Sequence, residues 1–484
     1  MKLLLMLMTG AMLGSVMPAM AHEGAHTPAQ VPWQEASTWP DRIVATMERD
    51  PASSISVSWR TSAEIKATRA EITLALPDAR FDQLARSVDA QTQLLDLDQV
   101  VHEGLVLPVT HNAGLPATSH HSVRFDGLEP DTLYAYRVQG AEGQWSEWFQ
   151  TRTAPSSGPL RFIYLGDAQN GLDSHWPRVI RAAFQQAPDA RFILHAGDLV
   201  NRGSRDLEWA HWFRAGSFIN GMIPAIPVSG NHEYDSYKLG EEQKQKLLSI
   251  LWRPQFRLPE EPELPDEIQE TVYSVRYSND LEVFVLNSNV SDMSEQAEWL
   301  DSGLAASDAR WRIVTMHHPV FSSGRERDNR SRREVLLPVL LKHSVDLVLQ
   351  GHDHTYARGQ VGEREVDLEM TPNRSAAVDE GTVTTMFVNS VSGPKQYEFS
   401  ATGWDAYAPN GVALARRGEN TQFFQVIEID GDQLTYAAYT ADGALYDEVD
   451  LMKSANGTKS IQPSENTLPE QRLFQNTLPY ESVK

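Results

Sequence analysis

Between Pro40 and Pro155 apolar and polar residues alternate in short runs. In "SISVSWRT" (54–61), Ile55, Val57 and Trp59 fall on one face, the pattern of a half-buried strand. "HSVRFDGLEPDTLYAYRVQG" (121–140) gives two more alternating runs joined by a Pro-Asp turn, with Tyr134 and Tyr136 behind it, and "GQWSEWFQTRTAP" (143–155) closes the unit. An inward Trp on an early strand and a Tyr after a late corner are features of a β-sandwich. Past Pro155 the rhythm changes. Short apolar runs ("RFIYLGD", "ARFILHAGD") alternate with helix-like stretches ("SHWPRVIRAAFQQA", "LEWAHWFRAG"), which predicts an α/β domain whose strands feed loops. Two polar insertions, "PEEPELPDEIQE" (259–270) and 361–380, read as surface loops, and 454–484 reads as a polar, poorly ordered tail.

The first residues break both patterns. In "MKLLLMLMTGAMLGSVMPAMA", Lys2 precedes an apolar segment from Leu3 to Val16, and Ala19-Met20-Ala21 matches a small-x-small cleavage site. We read residues 1–21 as a secretory signal, 22–39 as a polar leader, 40–155 as the sandwich, 156–453 as the α/β domain and 454–484 as the tail. That reading places the mature protein outside the cytoplasm, secreted or periplasmic, and finds no membrane span in it.

Composition narrows the chemistry. The 484 residues exceed one ordinary core, and 41% apolar content suffices for packed ones. There is no cysteine, so disulfides and thiolate metal sites are excluded, and any metal must be held by oxygen or imidazole. The formal charge of −23 disfavours binding to a nucleic-acid polymer but not to a small phosphorylated substrate.

Five apolar runs end in metal-capable residues: "RFIYLGDAQ" at Asp167 and Gln169, "RFILHAGDLVN" at Asp198 and Asn201, "IPAIPVSGNHE" at Asn231 and His232, "WRIVTMHHP" at His317 and His318, and "VDLVLQGHDH" at His352 and His354. Each has an ordinary explanation alone, since Gly-Asp makes turns and a histidine after a strand can be satisfied by a hydrogen bond. Their recurrence in order is different, because buried charges must be paired or coordinate metal. Ligands in α/β sheets bind beyond the carboxyl ends of strands, so all five clusters are expected at one edge of one sheet. Oxygen ligands with imidazoles suit Fe, Zn or Mn. A shared carboxylate can hold two cations about 3.5–4 Å apart.

The order GD, GD, GNHE, VxxH, GHxH resembles the calcineurin-like metallophosphoesterase superfamily. With a fibronectin type III-like sandwich in front, the chain is similar to purple acid phosphatases. The resemblance implies a two-sheet metallophosphoesterase sandwich flanked by helices, preceded by an all-β fibronectin III-like sandwich. It implies two divalent or mixed-valence metal ions, the first held by Asp167, Asp198 and His354, the second by Asp198, Asn231, His317 and His352, with Asp198 as the bridge. His232 would face the phosphoryl group, stabilising its charge or protonating the leaving oxygen, with Glu233 orienting it. The implied activity is hydrolysis of phosphate monoesters by metal-bound hydroxide. Phosphodiester or nucleotide cleavage on the same centre is the alternative, and a non-catalytic adhesin-like binding protein is the alternative of another class.

Two departures stand out. The purple enzymes carry a tyrosine ligand where this chain has Asn201, and Gln169 stands where many superfamily members place a histidine. A neutral Gln169 amide completing the first shell favours a divalent pair. "GDLVNRG" also resembles the GDxVDRG of serine/threonine protein phosphatases, which makes Arg202 a candidate for phosphate contact. Arg325 or Arg327, and Lys395 or Tyr397, could reach the cleft but read as loop residues of no catalytic role, Tyr356 and Arg358 read as packing, and His175 and Trp176 could form a substrate wall.

Overall fold

The structure, a computed structural model, describes residues 31–239, 244–362, 383–465 and 467–470. The expected signal segment and nearly all of the 361–380 insertion lie outside the described residues.

Among the described residues one sheet has eleven strands, in the order Lys459–Pro463, Leu445–Lys453, Gln433–Thr440, Phe423–Asp430, Leu160–Leu165, Ile193–His195, Ala225–Pro227, Asp41–Thr46, Ile55–Ser62, Thr118–Phe125, Gln91–Leu95. A second has seven: Tyr273–Arg276, Leu281–Val285, Trp311–Thr315, Leu347–Gln350, Thr385–Asn389, Tyr356–Val361, Val412–Gly418. The two pack face to face. Tyr164, Leu194 and Ile226 of the first share a core with Val283, Ile313, Leu347 and Met386 of the second. Burying each such side chain contributes roughly 1.5–3 kcal/mol. Helices Trp176–Gln186 and Asp206–Gly216 cover the outer face of the first sheet, burying Trp176, Val179, Trp209 and Trp212. Helices Ser294–Ala306 and Arg330–Lys342 cover the second through Leu300, Leu304, Leu336 and Leu340. This is the α/β two-sheet sandwich expected.

The N-terminal sandwich packs Asp41–Thr46, Ile55–Ser62 and Thr118–Phe125 against Arg69–Leu74, Leu133–Val138 and Phe149–Arg152. Trp59 is buried with Val57, Val123, Tyr134 and Tyr136, and its indole donates to the Gln139 carbonyl at 2.9 Å. The Tyr134 hydroxyl accepts the Glu129 amide at 2.9 Å, closing the corner before its strand. One feature was not expected. Thr46 pairs in parallel with Ala225, so the sandwich's sheet runs on into the α/β sheet. Three of the five strand-end motifs belong to this long sheet and two to the other, so the edge of one sheet becomes the common edge of two. The Tyr164 hydroxyl, which donates to the Gln350 carbonyl and accepts the Gln350 amide, ties the two edges together.

Three local expectations change. The 259–270 insertion buries Glu261, Leu264 and Ile268, and is therefore packed rather than a free loop. Lys459–Pro463 adds an antiparallel strand beside Leu445–Lys453, and the buried Lys459 ammonium lies 2.9 Å from Asp346, so the start of the supposed tail is part of the fold. Trp176, offered as a substrate wall, is fully buried in the core. Tyr356 and Arg358 do pack: both bind Asp447, the guanidinium through two contacts of 2.6 and 3.0 Å.

Candidate metal centre

Beyond the strand ends the chain turns sharply, and the turns carry the candidate ligands. Asp198, His352 and His354 adopt left-handed backbone angles (φ 50°, 75° and 46°), conformations that non-glycine residues hold only when their surroundings over-determine them. Glycines make room. A Cβ on Gly230 would lie 2.2 Å from Asp198 Oδ1, and one on Gly351 2.5 Å from Asp167 Oδ2.

Two groups of side chains converge. Asp198, His317 and His352 place ligand atoms within 4.8 Å of one another, and so do Asp167, Asp198 and His354. Asp198 belongs to both. Asn231 joins the first group, its Oδ1 lying 3.2 Å from His317 Nε2. Gln169 joins the second, its amide nitrogen 2.8 Å from Asp198 Oδ2 and 3.1 Å from His354 Nε2.

Backbone carbonyls aim the imidazoles. His317 Nδ1 donates to Ala196 O at 2.9 Å and His354 Nδ1 to Lys395 O at 2.7 Å, leaving each Nε2 for a cation. His232 Nδ1 donates to Asn201 O at 2.6 Å, and its Nε2 turns inward, 3.9 Å from Asp198 Oδ2. The expected orienting role of Glu233 is thus filled by the Asn201 carbonyl. Glu233 instead holds the loop itself, accepting the amides of Asp198, Leu199 and Gly230 at 2.7–2.9 Å. The GNHE spacing carries the signal for this, since an acid three residues after Gly230 is placed to cap amides. Asn201 contributes its backbone, and Arg202 is exposed, its amide donating to Glu208 at 2.9 Å. His318 is buried, its Nδ1 2.9 Å from the Ser288 hydroxyl and its ring 4.2 Å from that of His352.

The donor set fits cations. Asp167 Oδ1 and Gln169 Oε1 are buried without a hydrogen-bond partner. His317 Nε2 lies 3.1 Å from His352 Nδ1 and 3.2 Å from Asp198 Oδ2, so three atoms able to hold a cation crowd one point. Burial pushes the Asp167 carboxyl upward, with the Asp198 charge adding to it. Burial opposes ionisation of Asp198 too, yet His317 and His232 hold it well below the usual range. Burial opposes charge on His317, but Asp198 and Asp167 raise it to about 9. Carboxylates that borrow a proton from a buried imidazole are groups that a bound cation would satisfy better.

Residues 160–356 match the calcineurin-like phosphoesterase family model and residues 40–153 match the purple acid phosphatase N-terminal domain. The chain carries a calcineurin-like phosphoesterase domain behind a purple acid phosphatase N-terminal domain. Purple acid phosphatase 21 of Arabidopsis thaliana is 26% identical over 249 residues, 49% of this chain and 53% of that protein. Fe(3+)-Zn(2+) purple acid phosphatase 12 of the same plant is 27% identical over 259 residues, 50% and 52% of the two chains. The chain thus spans about half the length of the curated relatives it matches. Among solved structures, purple acid phosphatase PPD1 from yellow lupin (Lupinus luteus) superposes with a TM-score of 0.66 at 17% identity, over 87% of this chain and 75% of that one, which shows a common fold.

Proposed function

We propose that the protein is a dinuclear metal-dependent phosphoesterase that hydrolyses phosphate monoesters. The observation that carries this reading is the membership of Asp198 in both ligand groups. Asp167, Asp198 and His354 would hold one cation, with Gln169 completing the shell only if its amide turns to bring the oxygen where the nitrogen now meets Asp198 and His354, and Asp198, Asn231, His317 and His352 would hold the other. When bound, such a pair supplies Lewis-acid polarisation of phosphoryl oxygens and activation of water.

The chain's own residues do the rest. His232 presents Nε2 to the site with Nδ1–H committed to the Asn201 carbonyl. A proton on Nε2 therefore exists only in the imidazolium, and protonation of a leaving oxygen by His232 fails once the ring is neutral. Glu233 fixes the Asp198–Val200 loop so that the shared carboxylate need not reorganise. We assign phosphate contact to Arg202, exposed and four residues beyond Asp198. With Gln169 neutral and Asn201 in place of the tyrosine, we assign a divalent pair of Fe, Zn or Mn, and a phenolate-to-iron visible band contradicts this.

The charge of −23 favours a small phosphorylated substrate over a nucleic-acid polymer. No helix among the described residues is long and apolar enough to cross a membrane. We place the mature protein in a secreted or periplasmic location, starting near His22, which N-terminal sequencing of protein from the expressing cell checks. Turnover of p-nitrophenyl phosphate against bis(p-nitrophenyl) phosphate, with metal content measured on the same sample, tests the activity. Faster monoester turnover supports the reading, faster diester turnover replaces it with a phosphodiesterase, and turnover of neither leaves a binding protein.

A further inference from the structure

Both ligand groups straddle the gap between the two sheets. Asp167, Asp198 and Asn231 follow strands of the eleven-stranded sheet, whereas His317, His352 and His354 follow strands of the seven-stranded one. Each group therefore draws side chains from both sheets, and the spacing of the two sheet edges sets how its halves meet. Much of what fills the gap is apolar, including Leu194, Ile226, Val283, Ile313, Leu347 and Met386. Apolar contact is non-directional and fixes a separation only loosely. A metal shell is less tolerant, since its ligand distances hold to about ±0.2 Å.

Two tyrosines cross that layer, one from each sheet and in opposite directions. Tyr164, on Leu160–Leu165, turns its hydroxyl to the backbone of Gln350, accepting the amide at 3.1 Å and donating to the carbonyl. Tyr273, which opens Tyr273–Arg276 in the other sheet, donates its hydroxyl to the Pro227 carbonyl at 2.7 Å. Both rings are fully buried in the shared core. Both anchor points are the last residues of strands that lead to candidate ligands. Gln350 ends Leu347–Gln350, two residues before His352, and Pro227 ends Ala225–Pro227, four before Asn231. From Gln350 the contact continues into the centre: its side-chain amide donates to the His318 carbonyl at 2.9 Å, and the Gly351 amide donates to the His317 carbonyl at 3.0 Å.

We infer that Tyr164 and Tyr273 are positioning residues, a reciprocal pair of struts that holds the two sheet edges at the spacing a cation pair requires. The inference rests on the dinuclear reading. Phenylalanine would fill the same volume, so the hydroxyls do something other than packing. A hydrogen bond has a narrow range of length, and breaking either one strands a polar group in an apolar layer, so a shift of one edge against the other is resisted. The Gln350 carbonyl also accepts the Ser390 amide at 3.1 Å, so removal of the Tyr164 hydroxyl leaves the Gln350 amide as the orphaned group.

The test compares wild type with Tyr164→Phe and Tyr273→Phe, and uses Tyr136→Phe as the control. The Tyr136 hydroxyl is equally buried but donates to the Gly221 carbonyl at 2.5 Å, in the core of the N-terminal sandwich. Metal-free protein is titrated with Mn²⁺ by calorimetry, the electron paramagnetic resonance of the Mn²⁺ pair is recorded, and kcat and KM are measured on p-nitrophenyl phosphate. Each strut variant is expected to bind Mn²⁺ about tenfold more weakly, to alter the spin-coupled signal and to lower kcat about tenfold with KM little changed. The control should lower the thermal midpoint while leaving Mn²⁺ affinity and the coupled signal as in wild type. Strut variants that lose thermal midpoint like the control, with affinity and signal unchanged, make the hydroxyls purely structural and overturn the inference. Should Tyr164→Phe fail to fold, Tyr273→Phe, which orphans a carbonyl rather than an amide, decides by the same criteria. A wild type that binds fewer than two Mn²⁺ overturns the dinuclear reading and this inference with it. If it binds two but hydrolyses no ester, the phosphoesterase reading fails and Mn²⁺ affinity alone decides the struts.

Discussion

Arg42 and Arg60 of the N-terminal sandwich meet Asp206 of the phosphoesterase domain, while Asp167, Asp198, His317, His352 and His354 meet at the strand ends. Both clusters are buried and both mix opposite charges, but they are built on different plans. In the first, the Arg42 fork binds both Asp206 oxygens at 2.7 and 2.9 Å, Arg60 approaches Asp206 at 3.6 Å, and Arg60 is closed on its other side by Asp41 at 2.7 and 2.9 Å. Only Arg42 Nε is left without a partner. In the second, a carboxylate oxygen of Asp167 and the amide oxygen of Gln169 are left over. A buried network that satisfies itself holds a fold together, and one that does not is waiting for something to fill it. The first glues two domains and the second is a site.

The sharpest way to break this contrast is to remove the shared carboxylate. Asp198→Asn is expected to lower kcat on p-nitrophenyl phosphate by on the order of 10³ or more and to reduce bound metal, with the thermal midpoint of the metal-free protein not lowered. The mirror experiment is Arg42→Met, which strands Asp206 in the interface. It should cost roughly 3 kcal/mol of stability in denaturant unfolding while metal stoichiometry stays the same.

The two clusters are also joined, which sharpens the comparison. Asn112 of the N-terminal sandwich donates to Leu97 O and Ser204 O at 2.7 and 2.6 Å and accepts the Asp206 amide at 3.0 Å. It thereby clamps the loop whose Asn201 carbonyl aims His232. Asn112→Ala should lower kcat about tenfold with KM and metal content little changed, and a uniform loss of folded protein instead would make the clamp purely structural.

Glu270 marks the boundary of the rule, a half-buried acid with weak partners that belongs to neither ligand group. Burial raises its carboxyl to about 7, with Leu258 N at 3.4 Å and Arg253 Nε at 3.6 Å offsetting little. The folded state then binds the proton more tightly than the unfolded chain. Its contribution to stability is therefore full below the unfolded value near 4.5 and is lost as pH rises towards about 7. Glu270→Gln should match wild type at pH 4 and exceed it by about 1 kcal/mol at pH 8, measured by urea unfolding.

The strand-end motifs were legible because each joins an apolar run, a small residue for the turn and a metal-capable side chain within a few positions. The sandwich was legible from alternation and from Trp59 and Tyr134. What was hidden depends on contacts distant in sequence. The Thr46 and Ala225 pairing that fuses the sheets leaves no trace in either strand's pattern. The partners of Asp206 lie 164 and 146 residues away, at Arg42 and Arg60. The groups that aim His317, His354 and His232 are the backbone carbonyls of Ala196, Lys395 and Asn201, and any residue type supplies a carbonyl.

The most direct measurement is anomalous diffraction from crystals of the protein grown with Mn²⁺. The account predicts two peaks flanking the Asp198 carboxylate, one also touching Asp167 and His354 and the other Asn231, His317 and His352. A single peak, or peaks that do not share Asp198, would contradict it.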